Sequence, residues 1–195
     1  MRVLAFTDIH ESLAALHILR KKSQLADFLV CSGDISVFQH RMRSVLRKLN
    51  SFGKPVFIIH GNHEDELEFA ACCSGLANIH FVHRRAVPYG GFTIVGYGGG
   101  GFSESDSGLD SFGRKLARER HQNIIFLSHA PPFGSNLDYI GDGHYGSKSV
   151  RDFIYLLKPK LTVCGHFHEN FNRKDIIKGC FSINPGPKGR VLLKL

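Results

Sequence analysis

The first third of the chain alternates short apolar segments with segments of helical periodicity, and this alternation restricts the fold most strongly. Segments 3–6, 28–31 and 56–59 are brief and rich in β-branched or aromatic residues, which indicates buried parallel strands. Between them, Ser12 is a good N-cap for one helix, and residues 40–51 place apolar side chains on one helical face. Strand–helix–strand repeats predict a parallel sheet with right-handed crossovers.

Later segments change to a mixed pattern in which turns and loops separate strands and helices. No repeat or linker divides the sequence, so residues 1–195 are predicted to form a single domain. The pattern predicts strands at 79–83 and 86–97 with a turn at Gly90-Gly91, a polar loop from Gly98 to about Asp110, a basic helix, a strand at 124–127, a loop at 130–146, a helix at about 147–157, a strand at 161–164, and two or three antiparallel strands in 171–195.

Polar side chains with metal-binding capacity follow the apolar segments in a fixed order. They are Asp8, His10, Asp34, Asn62, His129, His166 and His168, seven in number, and His63 stands beside Asn62. The carboxyl ends of parallel strands meet at one edge of a sheet, so these side chains are predicted to converge. The first pair is separated by one residue, and in extended backbone such residues point to the same side.

The chemistry of these side chains indicates a site for two metal ions. Carboxylate oxygens and imidazole nitrogens suit borderline divalent ions such as manganese, iron, cobalt, nickel or zinc. Seven ligands are too many for one ion, whereas two ions that share a carboxylate would use them all. A paired-metal site is typical of enzymes that hydrolyse phosphoesters.

Each motif taken alone has an ordinary structural interpretation, and only their conjunction favours metal binding. Asp-x-His and Gly-Asp are common turn sequences, and a histidine after a strand is more often packed than ligating. Glu64 is either a residue that supports the ligands or an acid in the first turn of a helix, and the helix interpretation is favoured. Residues 96–101 match Gly-x-Gly-x-x-Gly, but no apolar-periodic helix follows, so a flexible loop over the active face is predicted instead of a dinucleotide site.

Composition and charge bear on partners and compartment. The net charge of +8 favours anionic partners such as nucleotides, nucleic acid or phosphorylated molecules, although the positive residues are scattered as they are on many protein surfaces. The five cysteines are odd in number and lie largely in apolar segments, which indicates buried free thiols in a reducing cytosol. No apolar segment is long enough to span a membrane and the N-terminus does not read as a signal peptide, so a cytoplasmic protein without membrane contact is predicted.

The motifs in their order resemble those of the calcineurin-like metallophosphoesterase superfamily, in particular its small microbial phosphodiesterase-type members. The resemblance spans nearly the whole chain and implies an α/β fold, a four-layer α-β-β-α sandwich of two mixed β-sheets flanked by helices. It rests on Asp8-x-His10, Gly33-Asp34, Gly61-Asn62-His63-Glu64, Ser128-His129-Ala130-Pro131-Pro132, Gly165-His166-x-His168 and Ile183-Asn184-Pro185-Gly186.

The resemblance also implies a role for each residue. His63 would be the catalytic residue that faces the substrate, where it would donate a hydrogen bond to phosphoryl oxygens or a proton to the leaving group. Two ions, manganese first with iron, zinc, nickel or cobalt as alternatives, would present a bridging hydroxide for in-line attack on phosphorus. One ion would be held by Asp8, His10, Asp34 and His168, and the other by Asp34, Asn62, His129 and His166.

At the second motif the sequence departs from the pattern of one branch of the superfamily. Members of the protein Ser/Thr phosphatase branch carry Gly-Asp-x-x-Asp-Arg-Gly at the second motif, but here residues 35–39 lack the second acid, so phosphoprotein phosphatase activity is not expected. The predicted function is a metal-dependent phosphoric ester hydrolase, a phosphodiesterase rather than a monoesterase, acting on a small phosphodiester or nucleotide. The alternatives are a DNA or RNA nuclease of the same superfamily and a non-catalytic protein-binding scaffold. His144, in a loop expected to border the cleft, is a second candidate for substrate contact.

Overall fold

The computed structural model describes residues 1–193, and the last two residues of the predicted domain and of its C-terminal strands, 194 and 195, lie outside the described residues. Within that range no helix is long and apolar enough to cross a membrane. The strands are β1 Arg2–Phe6, β2 Phe28–Cys31, β3 Val56–Ile58, β4 Ile79–Phe81, β5 Arg85–Tyr89, β6 Phe92–Tyr97, β7 Ile124–Ser128, β8 Tyr139–Ile140, β9 Gly143–His144, β10 Leu161–Val163, β11 Lys174–Ile177, β12 Cys180–Ile183 and β13 Arg190–Leu193. The helices are α1 Leu13–Ser23, α2 Met42–Asn50, α3 Glu66–Cys73, α4 Ser107–Ala117 and α5 Lys148–Leu157.

The long strands form two mixed sheets. The first has the order β13-β1-β2-β3-β4, in which β1 to β4 are parallel and β13 is antiparallel to β1. The second has the order β11-β12-β10-β7-β6-β5, with parallel strands in the centre and an antiparallel strand at each edge. Strands β8 and β9 form a separate small hairpin. The parallel strands of both sheets arise from the alternation of strands and helices along the sequence.

Three buried apolar clusters separate four layers of secondary structure. Along β1, Leu4 and Phe6 pack toward α1, α2 and α3, whereas Val3 and Ala5 face the second sheet. The third cluster lies between the second sheet and helices α4 and α5, where the rings of Phe126 and Phe153 stack at 4.0 Å. Because both sides of the central strands are buried, β2 and β3 of the first sheet are apolar at every position. The predicted four-layer α-β-β-α sandwich is confirmed.

Helix ends follow the capping residues in the sequence. The Ser12 hydroxyl accepts a hydrogen bond from the Ala15 N–H at 3.2 Å, so α1 begins where the N-cap predicts. Helix α4 begins earlier than expected, because the Asp106 carboxylate accepts hydrogen bonds from the N–H groups of Gly108 and Leu109 at 2.8 and 3.0 Å. The polar loop after Gly98 is therefore shorter than the expected extension to about Asp110.

The C-terminal strands include the predicted antiparallel pair and also have partners outside it. β12 is antiparallel to β11, as expected, but parallel to β10 on its other side. The segment after β12 crosses to the first sheet, where the Thr7 N–H donates to the Gly186 carbonyl at 3.3 Å and β13 pairs with β1. The predicted antiparallel pairing is confirmed for β11 and β12. The parallel contact with β10 and the transfer of β13 to the first sheet depend on the available sheet edges, which local sequence does not report.

Candidate metal centre

Loops after five parallel strands converge at one edge of the two sheets. Two groups of candidate ligands lie there, and within each group the ligand atoms are no more than 4.8 Å apart. The first group is Asp8, His10 and His168, and the second is Asp34, His129 and His166. The groups come from the loops that follow β1, β2, β7 and β10, and Asn62 joins them from the loop after β3. The convergence expected from the strand ends is therefore present.

In the first group, two imidazoles direct their Nε2 atoms toward each other. The Nδ1 of His10 lies 3.2 Å from the Ser36 carbonyl oxygen, which can only accept, so this nitrogen carries the proton. Its Nε2 then has a free lone pair and lies 3.2 Å from Nε2 of His168. The Asp8 carboxylate oxygen Oδ1 is 3.6 Å from the latter atom and 3.9 Å from the former. Acceptor atoms gathered in this way fit a cation between them.

The second group has the same chemistry and is more deeply buried. The Nδ1 of His129 donates to the Ser32 carbonyl at 2.8 Å, which directs Nε2 toward Asn62 Oδ1 at 2.8 Å and Asp34 Oδ2 at 3.3 Å. A hydrogen bond from the far ring nitrogen to a carbonyl is the usual support of a ligating histidine. The Nε2 of His166 is buried and has no hydrogen-bond partner within residues 1–193. A metal ion would satisfy that atom.

Asp34 connects the two groups. Its Oδ2 atom lies 3.3 Å from Nε2 of His129 and 4.0 Å from Nε2 of His10. Its Oδ1 atom accepts a hydrogen bond from the backbone N–H of His63 at 3.0 Å, which fixes the orientation of the carboxylate. The residues present fit two divalent ions that share one carboxylate, and all seven predicted ligands lie at this edge.

Burial and mutual charge set the protonation of the second group. Burial by itself raises the pKa of Asp34, but the hydrogen bond and charge of His129 outweigh it and hold that pKa at about 2. Burial opposes the charged form of His129, and the bond to Asp34 raises its pKa above the ordinary value. Burial, followed by the charge of His129, lowers the pKa of His166 to about 4, so that this imidazole is neutral at pH 7 and able to ligate.

The backbone at four candidate ligands adopts a conformation that ordinary residues avoid. The φ angles are 51° at Asp8, 43° at His10, 49° at Asp34 and 68° at His166. The sequence predicted that Asp8 and His10 point to the same side because their backbone is extended. That reason is wrong, since both residues follow the end of β1 and have left-handed backbone angles. Such strain persists only where surrounding contacts enforce it, and it is concentrated at functional sites.

Two loops approach each other too closely for side chains at Gly33 and Gly61. A Cβ atom on Gly33 would overlap the backbone of Gly61, and a Cβ atom on Gly61 would overlap the Asp34 side chain. Gly33 also has a φ angle of 93°, whereas Gly61 is needed for space alone. The sequence predicted that these glycines allow sharp turns, and the structure adds that they bring the loops after β2 and β3 into contact.

The interpretation of Glu64 as a first-turn helix acid is wrong. Helix α3 begins at Glu66, and the side chain of Glu64 is buried between two ligand loops. Its carboxylate accepts the N–H of Asp34 at 3.0 Å, the N–H and hydroxyl of Ser36 at 2.9 Å each, and the N–H of Gly61 at 2.8 Å. Burial and the Asp34 charge raise the pKa of Glu64 above its ordinary value, and these donors counteract the rise. Glu64 therefore ties the second and third ligand loops together.

His63 lies beside the two metal groups and belongs to neither. Its Nε2 atom is 3.9 Å from Asp34 Oδ2, and its ring centroid is 5.2 Å from that of His10. The ring of Phe38 covers its other side at 4.7 Å. His63 is therefore adjacent to the Asp34 carboxylate and to the His10 ring.

His144 lies in the small hairpin at the rim. Its Nδ1 atom is 2.8 Å from Oδ1 of Asp138, whose side chain is fully buried, and its own side chain is 40% exposed. The hairpin is tied to the segment that carries His168, because the Asn170 side-chain amide donates to the carbonyls of Leu137 and Tyr139 at 3.0 and 3.1 Å. His144 is therefore oriented by a buried acid, and it belongs to neither group of candidate ligands.

The glycine-rich segment lies against the second group. An added Cβ on Gly101 would be 3.5 Å from the Cβ of Asn62 and 3.8 Å from Cε1 of His166. Helix α4 begins only at Ser107, so this segment does not open a helix as a dinucleotide-binding loop does. The segment therefore forms part of the wall of the metal site.

Sequence patterns gave no indication of a buried histidine pair behind this segment. The rings of His60 and His83 meet at 4.7 Å, and the N–H of Gly98 donates to Nδ1 of His83 at 2.8 Å. Nε2 of His83 lies 3.3 Å from the carboxylate of Glu66, and burial followed by the charge of Arg84 lowers the pKa of His83 to about 4.

Replacement of His83 by Asn is expected to make the free energy of unfolding less dependent on pH at acidic pH. The folded-state pKa of about 4 lies below the ordinary 6.5, so the unfolded chain binds the proton more readily and stability falls as pH decreases between these values. Asn keeps an acceptor for the Gly98 N–H but does not titrate. The free energy of unfolding that is lost between these two pH values should therefore be smaller in the variant by up to about 3 kcal/mol. Urea unfolding at pH 4.5 and 7 measures it. The exposed control His17→Asn should follow the wild type, and an unchanged slope in His83→Asn would refute the expectation.

Comparisons with known proteins agree with this geometry. A crystal structure superposes with a TM-score of 0.81 and 17% identity, covering 99% of this chain and 98% of that chain. The crystal structure of TT1561 of Thermus thermophilus superposes with a TM-score of 0.80 and 16% identity, covering 96% of this chain and 90% of that chain. At such identities the likeness concerns the fold. A search of curated proteins gave no match.

The family comparison covers the entire candidate centre. The profile described as calcineurin-like phosphoesterase matches residues 1–170, a range that contains all seven candidate ligands and His63. This match supports phosphoric ester hydrolysis with bound divalent metal, and the two groups of aspartate and histidine side chains provide the ligands that such metals use. The chain belongs to the calcineurin-like phosphoesterase family.

Proposed function

We propose that the protein is a phosphodiesterase that uses two divalent metal ions, with manganese as the first candidate, to hydrolyse a small phosphodiester or nucleotide. The observation that carries this proposal is the position of Asp34, whose Oδ2 atom lies between the two ligand groups, 3.3 Å from His129 and 4.0 Å from His10. Iron, zinc, nickel and cobalt suit the same ligands and remain candidates.

The proposed ligand assignment follows the two groups of side chains. When bound, two ions would lower the pKa of a shared water and offset the negative charge of the phosphoryl oxygens. The protein's part is to hold the ligand atoms in place through the contacts that His10 and His129 make with backbone carbonyls. Asp8, His10, Asp34 and His168 would hold one ion, and Asp34, Asn62, His129 and His166 the other.

His63 is proposed as the catalytic residue that donates to the substrate. Its backbone N–H is bound to Asp34 Oδ1 at 3.0 Å, so the loop places the imidazole beside the shared carboxylate. The side chain is only partly buried, which leaves it able to meet a phosphoryl oxygen or the leaving-group oxygen. His144, fixed by the buried Asp138, is proposed as a second contact to the substrate.

Several independent observations support a small anionic diester as the substrate. The net charge of +8 favours anions, and the second motif lacks the additional acid of the protein Ser/Thr phosphatases. The motifs are similar to those of small microbial phosphodiesterases. Five buried free thiols support a reducing, cytoplasmic setting.

Replacement of His63 by Ala is expected to lower kcat on bis(4-nitrophenyl) phosphate by roughly 100-fold or more, because a positioned proton donor contributes about that factor. The bound manganese should stay at two ions per chain, because His63 is not among the proposed ligands. Release of 4-nitrophenolate and elemental analysis provide the two readouts. His17→Ala, an exposed histidine on α1, is the matched control and should retain wild-type activity.

Full activity in the His63 variant would exclude its catalytic role, and a wild-type protein that binds no divalent metal would exclude the proposed function. Cleavage of single-stranded DNA that weakens steeply with salt would favour the nuclease alternative. A metal-free protein that hydrolyses no phosphoester but captures a protein partner would favour the scaffold alternative.

A further inference from the structure

Two phenylalanine side chains at the metal edge are exposed to an extent that folding does not explain. Phe38 is 80% exposed and Phe102 is 72% exposed. They come from different loops, since Phe38 lies four residues after Asp34 and Phe102 directly follows Gly101 in the glycine-rich segment. Large apolar side chains at the mouth of a polar site commonly contact a ligand.

Phe38 is held in place although its side chain is in solvent. Its φ angle of 45° is in the left-handed region, which is costly for a bulky residue. The Glu11 carboxylate fixes the loop by accepting the N–H of Val37 at 3.1 Å and lying 2.7 Å from Nδ1 of His40. The ring centroid is 4.7 Å from that of His63. Strain maintained by contacts with a carboxylate, with an exposed ring as its result, indicates a positioned binding group.

Phe102 occupies the equivalent position at the second ligand group. Its ring meets the His166 ring edge-on at 4.5 Å and lies 5.6 Å from Phe167. The Lys148 N–H donates to the Glu104 carbonyl at 2.7 Å, and the side chains of the same two residues form an ion pair, which anchors the segment to α5. The ring is thus placed over a proposed ligand by contacts outside the metal site.

We propose that Phe38 and Phe102 bind the planar aromatic group of the substrate, so that aryl and nucleoside phosphoesters are preferred over alkyl phosphoesters. This inference rests on the proposed function, because it assigns the organic part of the same substrate. Each ring contacts an imidazole of the metal edge. A ligand that covers either ring would therefore also lie close to the proposed metal ions. A phosphate held at the ions with a base or aryl ring attached meets that requirement, and aromatic rings stack on every nucleobase.

Binding to the manganese-loaded protein tests the inference without relying on turnover. Calorimetry would compare adenosine monophosphate with inorganic phosphate in the wild type, Phe38→Ala and Phe102→Ala. Removal of one stacking ring is expected to weaken the nucleotide about 10-fold and to leave phosphate within about twofold. Phe38→Tyr keeps a ring and should retain the nucleotide affinity. Ile176→Ala is the control, because Ile176 is an apolar side chain that is 63% exposed on β11. It should leave the affinity for both ligands unchanged.

The outcomes separate this inference from the proposed function. It is overturned if the wild type binds the nucleotide no more tightly than phosphate, if neither alanine variant weakens the nucleotide, or if both ligands weaken equally. Preferential nucleotide binding that depends on the rings, in a protein that hydrolyses no phosphodiester, would contradict the proposed function and uphold the aromatic site. In a protein active on bis(4-nitrophenyl) phosphate, the same variants should raise KM with little change in kcat.

Discussion

Asp34→Asn is expected to lower kcat/KM for bis(4-nitrophenyl) phosphate by roughly 1,000-fold or more, the equivalent of about 4 kcal/mol of transition-state stabilisation. The Asp34 Oδ1 atom already accepts the His63 N–H at 3.0 Å, so an amide would keep its oxygen there and turn its NH₂ group toward His10 and His129. Hydrogen-bond donors would then replace the shared anionic ligand. The bound manganese, measured by elemental analysis, should fall below two ions per chain.

The same substitution at Asp152 is the control for the loss of one negative charge. Asp152 lies on α5, pairs with Arg151 at 2.8 Å and is 58% exposed, so Asp152→Asn should retain both metal and activity. An Asp34→Asn protein with two bound ions and wild-type kcat/KM would refute the shared-carboxylate assignment. Retained metal with lost activity would instead restrict Asp34 to a role in catalysis.

Glu64→Gln is expected to lower the free energy of unfolding by roughly 2–4 kcal/mol, because buried donors lose their acceptor. The two carboxylate oxygens of Glu64 accept four hydrogen bonds, from the N–H groups of Asp34, Ser36 and Gly61 and from the Ser36 hydroxyl. An amide offers only one oxygen and points its NH₂ group at the remaining donors. The loops that carry Asp34 and Asn62 would separate, so activity should fall together with stability in urea unfolding and kinetic assays.

Glu68→Gln is the matched control for this change. Glu68 is exposed in the first turn of α3, where loss of one charge at the helix N-terminus costs only about 0.3–1 kcal/mol. Equal stability losses in the two variants would show that Glu64 acts as a helix acid after all. A stable and fully active Glu64→Gln protein would contradict its role in joining the loops.

The sequence predicted the strands and helices of the site because their signals are local. The apolar segment 28–31, the Ser12 N-cap and the periodicity of 40–51 each report the conformation of their own neighbourhood. Residues that act through contacts with distant segments carried no such signal. Three of the four hydrogen bonds of Glu64 come from another loop, and the pair of His60 and His83 joins residues 23 positions apart.

The sequence by itself determined the identity and order of the candidate metal ligands and the strand ends that carry them. Donor chemistry and strand–helix alternation are properties of the residues and their spacing. They were sufficient to predict a parallel sheet with these side chains at its carboxyl edge. The two mixed sheets were implied by the resemblance of the motifs to a known family, and the buried layers on both sides of β1 agree with them.

Only the tertiary structure decided the geometry of the site. The left-handed backbone at Asp8 and His10, the close approach of Gly33 to Gly61 and the exposed ring of Phe38 exist because separate loops hold one another in place. Conformations that are unfavourable in isolation are stabilised by contacts with other parts of the chain, and the energy of those contacts is absent from any local segment.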